Sequence, residues 1–175
     1  MKLSKILLIL FVSVSVLSCK KDDDSKTNYT LNNANLAGDY DITFLKADVD
    51  QVVEINGVPV TSTIRAVGSV FQATVSFTEN GTYTASGNYL LTTTVTAGGN
   101  SETDEEIITL DDSGTYSVDA NSETISLSGA TDIGDGTYEV TLFNEDEIRF
   151  VLEDSYSDTD GSTTDLRSEY RFRRK

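Results

Sequence analysis

The sequence predicts an all-β domain, a single antiparallel up-and-down β-barrel of about eight to ten strands. Three observations carry this. Apolar residues recur with a period of two from Gly38 to the C-terminus, which gives each strand one dry and one wet face. Turn signals separate the alternating runs at short intervals. No stretch of useful length has the 3.6-residue apolar period of an amphipathic helix. Consecutive hairpins with one apolar face each must close into a barrel or collapse into a sandwich to bury those faces.

The elements follow in order along the chain. Leu31 to Leu36 offers the one helical turn, just ahead of the first strand. Tyr40, Ile42 and Phe44 alternate with Asp39, Asp41 and Thr43, and Asn56-Gly57 marks a turn. Phe71, Ala73, Val75 and Phe77 lead to Asn80-Gly81, a strong hairpin signal. Tyr83, Ala85, Tyr89, Leu91 and Val95 then continue on odd positions. Gly98-Gly99-Asn100 and Asp112-Ser113-Gly114 read as turns, with Tyr116 and Val118 beyond them and Ile125 and Leu127 next. After Asp135-Gly136 come Tyr138, Val140 and Leu142. Asn144-Glu145-Asp146 separates these from Ile148, Phe150 and Leu152. Asp160-Gly161 precedes the last run, Leu166, Tyr170 and Phe172.

Residues 1–18 stand apart from this pattern. Lys2 and Lys5 form a basic start, and Ile6 to Val16 is an apolar run broken only by Ser13 and Ser15. It falls short of the ~20 residues that span a bilayer and has the layout of a secretory signal. Val16-Leu17-Ser18-Cys19 resembles the lipobox of bacterial lipoproteins. The resemblance implies cleavage after Ser18 and a lipid on Cys19, the only Cys in the chain. Several acyl chains hold a protein firmly where one does not. Residues 19–30 read as a polar tether and 31–175 as the folded domain. Lys21, Asp22, Asp23 and Asp24 resemble the surface-export signal of Bacteroidetes lipoproteins, which implies the outer face of the outer membrane. The periplasmic face is the alternative, with the run a plain solvated spacer.

Composition excludes several chemistries. With no His and one Cys, there is no imidazole base, no His-ligated metal and no thiolate cluster. The net charge is -16; removing 1–18 takes away two of the 13 bases and none of the 29 acids, leaving -18. Such a chain lacks the clustered cations that phosphate contacts require, so no nucleic-acid partner is expected. Residues 66–148 contain no Lys or Arg and fifteen acids. The Glu102–Glu106 run and Asp158-Thr159-Asp160-Gly161 invite a calcium reading. The second fails the EF-hand spacing, because Tyr156 and Arg167 fall on ligand positions. No metal, no cofactor and no catalytic residue set is expected; the protein is expected not to be an enzyme and to be a monomer.

Several segments of the domain resemble the lipocalin-like lipoproteins of Bacteroidetes. They are Leu36-Ala37-Gly38-Asp39-Tyr40, Phe77-Thr78-Glu79-Asn80-Gly81-Thr82-Tyr83, Gly114-Thr115-Tyr116 and the closing Tyr170-Arg171-Phe172-Arg173-Arg174. The resemblance implies a lipocalin-like barrel closed at one end by a cation over an aromatic ring. Tyr40 stands where lipocalins have Trp, and Arg174 shares the apolar parity of the last strand. Inside, Phe71, Phe77, Tyr83, Tyr89, Tyr116, Tyr138, Phe150 and Tyr170 either line a cavity for a small apolar or amphiphilic ligand or fill a small barrel. The first makes the chain a lipid-anchored binding protein. The second makes it a surface protein- or glycan-interaction module acting through loops 97–106 and 155–165.

Overall fold

The computed structural model describes residues 29–55, 58–129, 131, 133–159 and 161–175. A short helix, α1 (Asn33–Leu36), precedes eight strands. These are β1 (Gly38–Ile55), β2 (Val58–Phe77), β3 (Thr82–Ala97), β4 (Asn100–Asp119), β5 (Thr124–Ser128), β6 (Gly136–Phe143), β7 (Glu147–Ser157) and β8 (Thr163–Arg174). Each pairs antiparallel with the next and β8 pairs with β1, closing a barrel. The signal, cleavage, anchor and export positions, Ser18, Cys19 and Lys21 to Asp24, lie outside the described residues, as does the Asn56-Gly57 turn.

The closed ring is built on the alternation in the sequence. Tyr40, Ile42, Val75, Phe77, Tyr83, Tyr116, Ile125, Tyr138, Ile148, Phe150 and Phe172 are each at most 5% exposed. Their rings pack against one another. Phe77 meets Tyr40, Tyr116 and Phe150 edge-on at centroid distances of 5.9, 5.2 and 6.3 Å. Phe150 lies 5.0 Å from Phe172. Edge-to-face contacts of this kind add about 0.5–1.5 kcal/mol per pair beyond area burial.

Two expectations are corrected where the ladder is irregular. Phe44 does not continue the inward face of Tyr40 and Ile42. A register shift between Ile42 and Phe44 on the β8 side turns the parity over, so Leu45 is buried and Phe44 lies under Arg171 at 4.4 Å. Asp112-Ser113-Gly114 is not a turn but the middle of β4. Gly114 is needed there because a Cβ would stand 2.1 Å from the Ser128 carbonyl oxygen. In β2, Val70 sits at φ 51 in a bulge between Ser69 and Gln72. Its partner strand answers with Gly87 at φ 119, whose Cβ would lie 2.1 Å from the Gln72 carbonyl oxygen.

One end of the barrel is sealed. Arg174 lies 4.7 Å from the Tyr40 ring centroid and donates to the Ala37 and Asn35 carbonyls at 2.8 and 2.5 Å and to the Tyr40 hydroxyl. Tyr29 also accepts from Arg174 and packs on Phe143 at 4.8 Å. The described fold therefore already includes the end of the segment assigned to the tether.

Candidate functional site: the open end of the barrel

The other end is not closed. β5 pairs with β4 only over Thr115–Asp119, and β6 pairs with β7 only up to Val151. Asn100 to Leu110 of β4 and Leu152 to Ser157 of β7 therefore extend past the β5 and β6 ladders, and the β5–β6 loop meets β4 at Asp112. Between them the six strands β4-β3-β2-β1-β8-β7 continue outward as one sheet. Its inner face is the continuation of the barrel interior.

A loop separates that face from the packed ring. The buried Asp112 carboxylate accepts from Thr131 N at 3.0 Å, Thr131 Oγ1 at 2.6 Å and Ile133 N at 3.1 Å. The Ile133 carbonyl in turn accepts from the Tyr138 and Tyr170 hydroxyls, both at 3.0 Å. Ile133, from the β5–β6 loop, is 6% exposed, so it acts as a plug tied to β4, β6 and β8. The nearby Tyr83 hydroxyl is among the buried polar atoms that have no hydrogen-bond partner. Burial raises its pKa to about 12, with Asp112 and Asp135 adding to the effect. Burial also raises Tyr138 to about 12, and raises Tyr116 and Tyr170.

Strand register defines the inner face row by row, because directly paired residues put their side chains on the same side. The row nearest the ring holds Glu106, Leu91 and Gly68. Leu45 and Phe71 crowd Gly68, with a Cβ there meeting them at 3.1 and 2.7 Å. Phe71 stacks on Tyr89 at 5.8 Å. The next row is Asp104, Thr93, Ala66, Ala47, Ser168 and Leu152. Beyond it lie Glu102, Val95, Ile64, Val49, Leu166 and Asp154. At ~4.8 Å per strand, this last row spans about 24 Å. It is apolar in the middle with a carboxylate at each end.

The charges are sorted by face. On the inner face of this extension the described residues include no Lys or Arg. The cations of its strands point outward and are paired there. Lys46 meets Asp48 at 2.7 Å, Arg65 meets Asp48 and Asp50 at 3.2 and 2.7 Å, and Arg167 meets Glu153 at 2.9 Å. No ion pair among the described residues involves Glu102, Asp104, Glu106 or Asp154. No group of three or more His, Cys, Asp or Glu among the described residues is placed to hold a metal ion.

The aromatic residues expected to line or fill the barrel fall into two places. Phe77, Tyr83, Tyr116, Tyr138, Phe150 and Tyr170 are in the packed ring, and Phe71 with Tyr89 is at its upper boundary, under the open sheet. Residues 100–106 and 155–157, expected to be loops, are strand. Sequence reasoning therefore missed the inner-face carboxylates. The signal available was their even spacing, Glu102, Asp104, Glu106, in step with Ile108 and Leu110. Comparison with known proteins finds no match among family models, curated proteins or solved structures.

Proposed function

We propose that this is a lipid-anchored cell-envelope protein, lipocalin-like in organisation, that binds a small apolar or amphiphilic ligand on the inner sheet face at the open end of its barrel. The observation that carries the reading is an apolar inner face left uncovered above a packed core. Val60, Ile64 and Val95 on that face are 36, 38 and 42% exposed, although the same face of the same strands is nearly dry within the ring. Small and aliphatic side chains on a sheet surface with a few polar groups at its margin are what an amphiphile's tail requires. The lack of His favours binding over catalysis.

The anchor fits the geometry. The described chain starts at the sealed end, where Tyr29 rests on Phe143. Ten residues from Cys19 reach at most about 35 Å, so a lipid on Cys19 keeps the sealed end within that distance of the membrane and leaves the open face free to point away from it. On a cell-surface lipoprotein, that face meets the medium; on the periplasmic alternative, it meets the periplasm. The second reading, an interaction module with a filled barrel, draws on the packed ring itself.

Two measurements test the proposal. Native mass spectrometry of the mature protein, purified from its own host, should show a co-purifying small molecule, and nuclear magnetic resonance should map it to Ile64, Val95 and Leu91. A ligand-free protein whose inner-face signals ignore every amphiphile tried would favour the interaction module. Cys19→Ala should release the protein from membranes, and persistent membrane association would overturn the anchor.

A further inference from the structure

We infer that the ligand carries a cationic head: the open face selects amphiphiles with an apolar tail and a protonated amine over neutral or anionic ones of the same tail. This rests on the ligand-binding reading above and adds the chemistry of the head group.

The argument is charge complementarity at the margin of an apolar surface. Glu102, Asp104 and Glu106 stand on one edge strand, directly paired with Val95, Thr93 and Leu91. Successive carboxylates are ~6.8 Å apart along the strand, since two residues of a strand rise that far. Asp154, paired with Leu166, closes the far end of the same row. Its carboxylate accepts from the adjacent Ser155 N at 2.9 Å.

Among the described residues, no cation is paired with any of the four. The strand cations nearby are on the opposite face, already engaged by Asp48, Asp50 and Glu153. An apolar tail lying across the strands over Val95, Ile64, Val49 and Leu166 therefore has a carboxylate at either end, Glu102 or Asp154. An anionic head there meets like charge, and a neutral head leaves the carboxylates as they were. An ammonium head gains carboxylate partners that no described cation of the chain occupies. Solvated edge carboxylates also discourage sheet-to-sheet pairing. Inward-pointing charges on an edge strand serve that role as well; the titrations below separate it from recognition of a head group.

The test uses the mature chain, expressed without residues 1–18 so that it carries no lipid. Isothermal titration calorimetry compares dodecylamine, dodecyl maltoside and dodecanoate, each below its micelle concentration. Dodecylamine should bind at least about tenfold more tightly than the other two, with a preference that shrinks as salt rises. The triple variant Glu102→Gln, Asp104→Asn, Glu106→Gln should weaken dodecylamine by about tenfold and leave the maltoside unchanged. A second triple variant, Glu105→Gln, Glu139→Gln, Glu145→Gln, removes the same charge from exposed positions off the inner face, Glu105 on the opposite face of the same strand, and should change dodecylamine binding less than about twofold.

Equal binding of amine and maltoside, or equal losses in the two triple variants, would overturn the cationic selection while leaving an amphiphile site standing. Failure of all three compounds to bind would overturn both. Circular dichroism and melting of each variant confirm that the barrel is intact, as expected for exposed substitutions.

Discussion

Asp112 is the residue on which the depth of the site turns. Asp112→Ala removes an acceptor of at least three hydrogen bonds, including those from the Thr131 and Ile133 backbone amides. A buried amide left without its partner costs ~1–3 kcal/mol. If the loop swings out to rehydrate both, it instead loses the burial of Ile133, ~1.5–3 kcal/mol for such a side chain, and strips Tyr138 and Tyr170 of a shared acceptor. Two stranded amides would cost ~2–6 kcal/mol, so the cheaper of the two routes sets the cost at about 2–4 kcal/mol. Asp112→Asn keeps one carbonyl oxygen but presents NH2 to a donor, and should cost about half as much. Urea unfolding measures the change as a shift in midpoint at constant slope. Hydrogen exchange at the Thr131 and Ile133 amides locates it. A loss below about 0.5 kcal/mol, with protection at Ile133 unchanged, would show that the plug is held by its packing and not by the carboxylate.

Alkaline titration gives a second prediction. Tyr40, Tyr83 and Tyr138 ionise near pH 10 when unfolded, and burial raises each to about 12 in the fold. A folded pKa above the unfolded one means the stabilisation is fully present below pH 10 and is lost as pH climbs from 10 toward 12. Two units correspond to ~2.7 kcal/mol per ring as an order of magnitude. Tyrosinate absorbance should therefore rise for these rings together with loss of near-ultraviolet circular dichroism; reversible ionisation of all eight tyrosines near pH 10 with the fold intact would contradict it. Gly87 gives a third. Gly87→Ala forces a Cβ to 2.1 Å from the Gln72 carbonyl at φ 119 and should cost at least about 2 kcal/mol. Gly98→Ala, at φ 57 with nothing within 4 Å, should cost only about 1 kcal/mol. Equal losses in thermal melts would place the cost in the backbone angle and not in the approach of β2.

Much of the ring was legible because its determinants are local. Alternation assigns Val75, Phe77, Tyr83 and Tyr138 to the interior without knowledge of their neighbours, and the tight turn at Asn80-Gly81 follows from its two residues. The failures lie where a distant strand decides. Phe44 has the parity and size of a core residue, and only the shift against β8 sends it outward. Asp112-Ser113-Gly114 has turn composition, yet Asp112 is held inside by a loop about twenty residues later and Gly114 answers to Ser128. The Glu102–Glu106 run looked like solvated loop because charge density says nothing of facing. Knowing its side required the β3–β4 register, in which Leu91 and Val95 lie opposite Glu106 and Glu102.

A ring packed with aromatics limits how tightly this protein can hold a ligand, and that limit is measurable. Covering the remaining 36–42% of Val60, Ile64 and Val95 contributes only ~2–3 kcal/mol, because complete burial of such a side chain is worth ~1.5–3 kcal/mol. A tail adds ~0.8 kcal/mol for each methylene actually covered, but an open sheet covers one side of it. Exposed carboxylate–ammonium pairs add ~0.2–1 kcal/mol each. Against these stand several kcal/mol of lost translational and rotational freedom. The balance falls between about 4 and 8 kcal/mol, a Kd between about 1 mM and 1 μM. Calorimetry with dodecylamine should land in that window. A nanomolar Kd is beyond what one sheet face can enclose, and would mean that the ligand enters the ring by displacing Ile133. Asp112→Ala separates the two cases: it should tighten binding if the loop bars the interior and leave it unchanged if the ligand stays on the open face.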